Sequence, residues 1–149
     1  MTKQAYITKT NCITPLGFDV ASNIQNISAG VSGIQLHQNN NVQGKKHYAA
    51  TISDEKINEA FSKISDSKTY SRLEKMMILA LIPIVDETSL NSRTGFILST
   101  TKGNITALKN PTDENFKQSH LHQLAKNVAN FFNFKTQPIV ISNACVSGI

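Results

Sequence analysis

A run of β-branched residues that ends in a cysteine places the strongest constraint on this chain. Pro138 to Ile141 is short and apolar, the pattern of a buried strand, and it stops at Ser142 and Asn143, whose side chains bond readily to nearby backbone. Cys145 follows, and after it come the small residues Val146, Ser147 and Gly148. Bulk therefore does not stand in the way of a sharp turn from strand into helix. Such a turn exposes the sulfur at a helix N-terminus, where unpaired N–H groups and the helix dipole favour thiolate over thiol. The same N–H groups can hold an oxyanion, the charge that acyl transfer develops. The opposing reading is a core residue: free cysteines are among the most buried residue types, and a lone Cys at the end of an apolar strand normally packs inside.

The 149 residues suit one domain, 1–149, able to bury roughly two-thirds of its unfolded surface. A strand that has just turned toward a helix stops four residues after Cys145, so the expectation is a chain cut just after its nucleophile. The formal charge is +5, from fifteen Lys and Arg against ten Asp and Glu, and the basic residues are scattered, Lys45 and Lys46 being the one adjacent pair. No basic stripe is interleaved with aromatics, which argues against a nucleic-acid groove. A mild positive bias suits an acidic protein partner. Cys12 and Cys145 make no cluster with His37, His47, His120 and His122 at zinc-site spacing, so neither a metal nor a cofactor is expected. His120 and His122, two apart, would point to different faces of a helix and read as surface residues. No apolar stretch reaches membrane length and no signal-like N-terminus is present, so a cytoplasmic, reducing location is expected, with no membrane partner.

Along the chain, Lys3 to Thr8 alternates well enough for a first strand, continued irregularly over Lys9 to Thr14 and ended by Pro15-Leu16-Gly17. Val20, Ile24 and Ile27 then recur at helical spacing, with Gly30 as the stop. The polar stretch His37 to Gly44 reads as loop, and His47 to Ile52 as a short strand. Ser53 opens a short amphipathic helix carrying Ile57, Ala60, Phe61 and Ile64, although Lys56 stands where a capping box has Glu. Thr69 to Glu87 has the apolar spacing of a mostly buried helix, with Pro83 kinking or ending it. Its methionines read as core filling rather than ligands. Ser92 to Thr101 reads as a strand broken at Lys102-Gly103-Asn104, a loop too short for a phosphate-binding P-loop. Leu121, Leu124, Ala125, Val128, Ala129 and Phe132 give another helix ending near Asn133, before the final strand. That order predicts an α/β fold in which a mixed, partly parallel sheet is flanked by helices, with Cys145 at the carboxyl end of a strand, where such sheets keep their working residues.

Three stretches in this order resemble the amino-terminal half of the β-ketoacyl synthase family. Ile7-Thr8 with Thr14-Pro15-Leu16-Gly17 is similar to the family's opening Ile-Thr-Gly-x-Gly-x-x-Thr-Pro-Leu-Gly, and Ala29 to Ile34 is similar to Ala-Gly-x-Ser-Gly-Ile. Arg93 to Ser99 resembles the strand before the family's small-residue loop, and Asn143 to Gly148 resembles its nucleophile motif. The resemblance spans essentially the whole chain and implies a thiolase-like layered α/β fold. It also implies a function: Cys145 takes an acyl group from acyl carrier protein as a thioester, its backbone N–H helping to form the oxyanion hole, for decarboxylative condensation with a malonyl-carrier unit in fatty acid or polyketide synthesis. Residues Ser99 to Gly103 would approach the acyl chain. Dimers, with Ile139 to Ile141 near the twofold axis, are implied as well. Lys9 and Asn11 replace the family's opening glycines, and Lys102 stands where small side chains are usual. The family's paired histidines, or His and Asn, belong to a second half, and none of the four histidines here matches them. The chain alone should therefore not condense, and it should expose apolar surface. Two other classes remain open: a non-catalytic partner subunit, which typically lacks the cysteine, and a cysteine hydrolase built on a nucleophile elbow.

Overall fold

Asp19 opens the first helix. Its carboxylate accepts the Ser22 backbone N–H and the Ser22 hydroxyl, each at 2.8 Å, which satisfies a donor that the first turn of α1, Val20–Ser28, would otherwise leave unpaired. At the far end Gly30 takes φ +71°, and the Val31 N–H reaches back to the Asn26 carbonyl at 2.9 Å. That left-handed closing turn is what a glycine permits and a Cβ resists. Just ahead of α1, Thr14 and Gly17 exchange backbone hydrogen bonds of 2.9 and 3.1 Å around Pro15 and Leu16, the turn that Pro-Leu-Gly predicts.

The computed structural model describes residues 4–38, 45–65, 70–85, 89–110 and 112–147. Their fold is mixed α/β, with five α-helices and, among the described residues, two sheets of two strands each. The chain divides into two compact units, Met1–Asp66 with Leu79–Ile84, and Ser67–Ile78 with Val85–Ile149.

In the first unit β1, Ile34–Gln38, pairs antiparallel with β2, Lys46–Ala50, placing His37 opposite His47. Helix α2, Asp54–Ser62, starts at Ser53, whose hydroxyl accepts the Lys56 N–H at 3.3 Å, and its Ile57 and Phe61 are buried. Two expectations are corrected here. Residues 4–13 form no strand: Tyr6 and Ile7 are 77% and 88% exposed, and alternation without a partner ladder leaves nothing to hold backbone extended. Conversely, His37 and Gln38, read as loop, end a strand, because β2 supplies the partner that the local pattern does not reveal; residues 39–44 of that loop lie outside the described residues.

Helix α3, Arg72–Leu81, is shorter than its apolar pattern. Residues 82–84 turn out of it at Pro83, as a ring without an N–H requires, while Thr69 and Glu87 lie outside the described residues. Its start is a reciprocal capping box: the Ser71 hydroxyl accepts the Glu74 N–H at 3.3 Å, and the Glu74 carboxylate accepts the Ser71 N–H at 2.7 Å.

The second unit is built on a parallel strand pair. Of the stretch Ser92 to Thr101, only β3, Ile97–Ser99, is strand. It pairs with β4, Ile139–Ile141, in the register Ile97 to Ile139, Leu98 to Val140 and Ser99 to Ile141. Between them run a 3-10 turn, Ile105–Lys109, then α4, Asp113–Ser119, and α5, Leu121–Phe131. Helix α4 has no apolar periodicity to announce it, only the cap at Thr112, whose hydroxyl accepts the Asn115 N–H at 3.1 Å. Helix α5 packs on β4 and buries Leu124, Ala125, Val128 and Ala129, with Phe96, Leu98 and Phe132 also in the core. It ends where predicted. Asn133 takes φ +58°, and the Phe134 N–H closes onto the Ala129 carbonyl at 3.1 Å.

The cap of α1 makes acid stability depend on Asp19. The Ser22 backbone N–H, then the Ser22 hydroxyl, hold this carboxyl below its ordinary value of 3.8. A depressed folded-state value contributes stability that is present above the unfolded value and lost as pH falls through the folded one. Asp19→Ala is therefore expected to lower the urea midpoint near neutral pH and to remove part of its fall between about pH 5 and pH 2. Identical acid limbs in urea titrations of both proteins would show that the cap contributes nothing.

Candidate nucleophile site

Strand β4 delivers the chain to Cys145. After Ile141 the backbone tightens into a 3-10 turn, Ala144–Val146, entered through Ala144 at φ +43°, a left-handed conformation that costs an alanine about 1 kcal/mol. The Val146 N–H closes the turn on the Asn143 carbonyl at 2.9 Å. Ser147 braces it from below. Its hydroxyl accepts the Asn143 N–H at 2.8 Å and donates to the Ala144 carbonyl at 3.1 Å, and its carbonyl accepts the Ser99 hydroxyl. One residue beyond β3, the Thr100 N–H donates to the Ile141 carbonyl at 3.0 Å. The turn is thus tied to the carboxyl ends of both parallel strands.

Cys145 itself is exposed and unbridged. That exposure decides against the core reading. The expected helix is represented, within the described residues, by the three-residue turn alone; Gly148 and Ile149 lie outside them.

The histidines are placed elsewhere. In the first unit His37 and His47 stack across the β1–β2 ladder with centroids 6.0 Å apart. In the second, His120 is the residue between α4 and α5, in extended conformation, so its ring lies 5.3 Å from that of His122 and 5.0 Å from Phe116. The expectation of two rings on different helix faces fails because His120 is not helical. Cys12 is half-buried in the first unit. Among the described residues no group of three His, Cys, Asp or Glu side chains could hold a metal ion, and no helix is long and apolar enough to cross a membrane.

Sequence reasoning misses a buried polar cluster in the second unit. Glu74, 3% exposed, accepts not only the Ser71 N–H but also the side-chain amides of Asn104 at 3.2 Å and Asn127 at 2.7 Å. Asn104 is 5% exposed and accepts the Ser71 hydroxyl at 2.7 Å. The cluster forms a wall of a polar cleft of about 620 Å³ that Thr106, Lys117 and Gln123 also line. A cleft of about 480 Å³ in the first unit is lined by Thr14, Gly17, Ser32, Ser53 and Lys56 among others. Cys145 lines neither. The one legible signal for the cluster is Ser-x-x-Glu at residues 71–74, which announces a helix cap but not its tertiary partners.

The chain matches no model of a known protein family, and no curated protein or solved structure is significantly similar to it.

The left-handed step makes Ala144 the most informative position of the turn. Ala144→Gly relieves the steric cost and is expected to raise unfolding free energy by about 0.5–1 kcal/mol, whereas the β-branched Ala144→Val lowers it by about 1–2 kcal/mol. Urea unfolding of the two variants checks this; the same sign for both would rule out a left-handed Ala144.

Proposed function

We propose that the chain carries the acyl-accepting site of a β-ketoacyl synthase-like acyltransferase, with Cys145 as its nucleophile and a thiolase-like layering of sheet and helices as its frame. The observation that carries this reading is an exposed thiol on a tight turn at the carboxyl end of a parallel strand. Open α/β sheets keep their reacting groups there because strand ends and loops converge at that edge. The run of family-like stretches from Ile7 to Gly148 supports it.

In the loading step the Cys145 thiolate attacks the carbonyl carbon of an acyl thioester on a carrier protein. Negative charge moves to the carbonyl oxygen, and the Cys145 N–H is the donor this reading assigns to it. Collapse of the tetrahedral intermediate breaks the bond to the carrier sulfur, which leaves as a thiol with the proton that Cys145 gave up. Condensation is a further step in which a malonyl-carrier unit loses carbon dioxide and attacks the new thioester. It calls for paired histidines, or His and Asn, beside the nucleophile, and the proposal for this chain is confined to loading. The net charge of +5 favours an acidic carrier. Pairing with a second copy or a related subunit along β4 belongs to the same proposal: Ile139 and Ile141, 56% and 47% exposed, are apolar surface for it to cover.

Incubation with an acyl N-acetylcysteamine thioester, followed by intact-mass and peptide mapping, tests the reading. The expected result is one acyl group per chain on the peptide containing Cys145, lost in Cys145→Ala and kept in Cys12→Ala. A lasting adduct separates a synthase-like site from a hydrolase, which returns the acyl group to water. Absence of any adduct, or equal labelling of Cys12, would sink the proposal.

A further inference from the structure

A helix cap needs one carboxylate oxygen, yet Glu74 uses both. Beyond capping α3 at the Ser71 N–H, it holds the amides of Asn127 from α5 and of Asn104 from the segment after β3. Taking a carboxylate out of water is costly unless donors surround it, and this one is met by three N–H groups. The residue it holds most deeply, Asn104, is 5% exposed and also takes the Ser71 hydroxyl at 2.7 Å.

Asn104 is one end of a short span whose other end supports the Cys145 turn. Gly103 is pressed so close to the α4–α5 junction that a Cβ there would come within 2.7 Å of the Ser119 carbonyl oxygen. Across residues 100–102 the span is closed on itself, the Thr100 hydroxyl donating to the Lys102 carbonyl at 2.9 Å and accepting the Lys102 N–H at 3.1 Å. At its start Ser99 donates to the Ser147 carbonyl, and Ser147 braces Asn143 and Ala144. A contiguous chain of contacts thus runs from Glu74 through Asn104 and residues 99–103 to Ser147, the kind of network that can carry coupling between sites.

We propose that Glu74 is a positioning residue for the Cys145 turn, acting through Asn104 and the segment 99–104. It touches neither substrate nor thiol. It fixes where the end of β3 lies, and that end holds Ser147 and the two residues before Cys145 in place. The positioning of the turn stands on this geometry, whereas its consequence for acyl loading rests on the reading of Cys145 as an acyl acceptor.

The test uses the full chain with Glu74→Gln, which replaces one acceptor oxygen by a donor amide, and Asn104→Ala, which cuts the route at its first step and serves if the former does not fold. Gln118→Ala is the control, since this residue lines the same cleft but bonds to Glu114 and not to Glu74 or the segment. Hydrogen exchange is read at the Thr100 and Asn143 amides, with Ile57 in α2 as the internal reference. Glu74→Gln and Asn104→Ala are expected to speed exchange at Thr100 and Asn143 by about tenfold or more while Ile57 and the Gln118→Ala protein change little. Acyl uptake from the N-acetylcysteamine thioester should fall by about tenfold in limiting rate with half-saturation unchanged. Unchanged exchange at Thr100 and Asn143, or equal acceleration at Ile57, overturns the positioning role. Faster exchange at Thr100 and Asn143 in a variant that still loads acyl groups like the wild type overturns the consequence for loading. A wild-type chain that takes no acyl group instead defeats the acyl-acceptor reading, and the exchange data then decide the positioning role alone.

Discussion

Helix α5 presents an apolar stripe that cannot be left in water, and the second unit is arranged to cover it. Leu124, Ala125 and Val128 are wholly buried and Ala129 nearly so, and at roughly 1.5–3 kcal/mol for each large side chain this burial is a leading favourable contribution to the unit. β4 packs on the helix, Leu98 of β3 is buried as well, and the Phe134 ring stands 5.5 Å from that of Phe96 and 6.5 Å from that of Phe132. The short parallel ladder of β3 and β4 follows from this burial. Three paired residues would not hold a parallel sheet in water without a packed face.

The opposite edge of the same helix does polar work. Asn127 stands one residue from Val128, so the turn that buries the valine also carries the amide to the Glu74 carboxylate. That geometry joins an apolar face, which stabilises, to a polar cluster, which specifies. A buried carboxylate fixes its neighbours because any rearrangement that loses a donor leaves charge unsolvated. In the first unit a smaller, uncharged counterpart is Asn23 of α1, 5% exposed, whose amide donates to the Gly17 and Asp19 carbonyls at 3.1 and 2.8 Å and whose oxygen accepts the Thr14 hydroxyl, tying the helix to the Pro-Leu turn.

The ends of the elements were largely legible from local chemistry. Gly30 and the segment around Asn133 stop helices because the closing turn is left-handed, and Pro83 stops α3 because it lacks an N–H. Ser53 starts a helix by accepting a donor three residues on; Ser71 does the same for α3, whose apolar pattern instead places the start at Thr69. Long-range pairing was not legible. Ile34–Gln38 is a strand only because Lys46–Ala50 lies against it, and residues 4–13, with better alternation, have no ladder partner among the described residues. Helix α4, with Phe116 58% exposed and no buried residue, has no apolar stripe for periodicity to detect.

For the candidate site the division is similar. The sequence by itself determined that an apolar strand ends at Ser142, that Cys145 follows it among small side chains, and where most helices begin and end, since each depends on residues within a few positions. Only the tertiary structure decided that the Cys145 thiol faces solvent, that Ser99 reaches Ser147 across 48 residues, and that Glu74 is buried against Asn104 and Asn127. Burial and buried hydrogen bonds are properties of surfaces brought together, and the residues that meet are too far apart in the chain for any local pattern to encode their meeting.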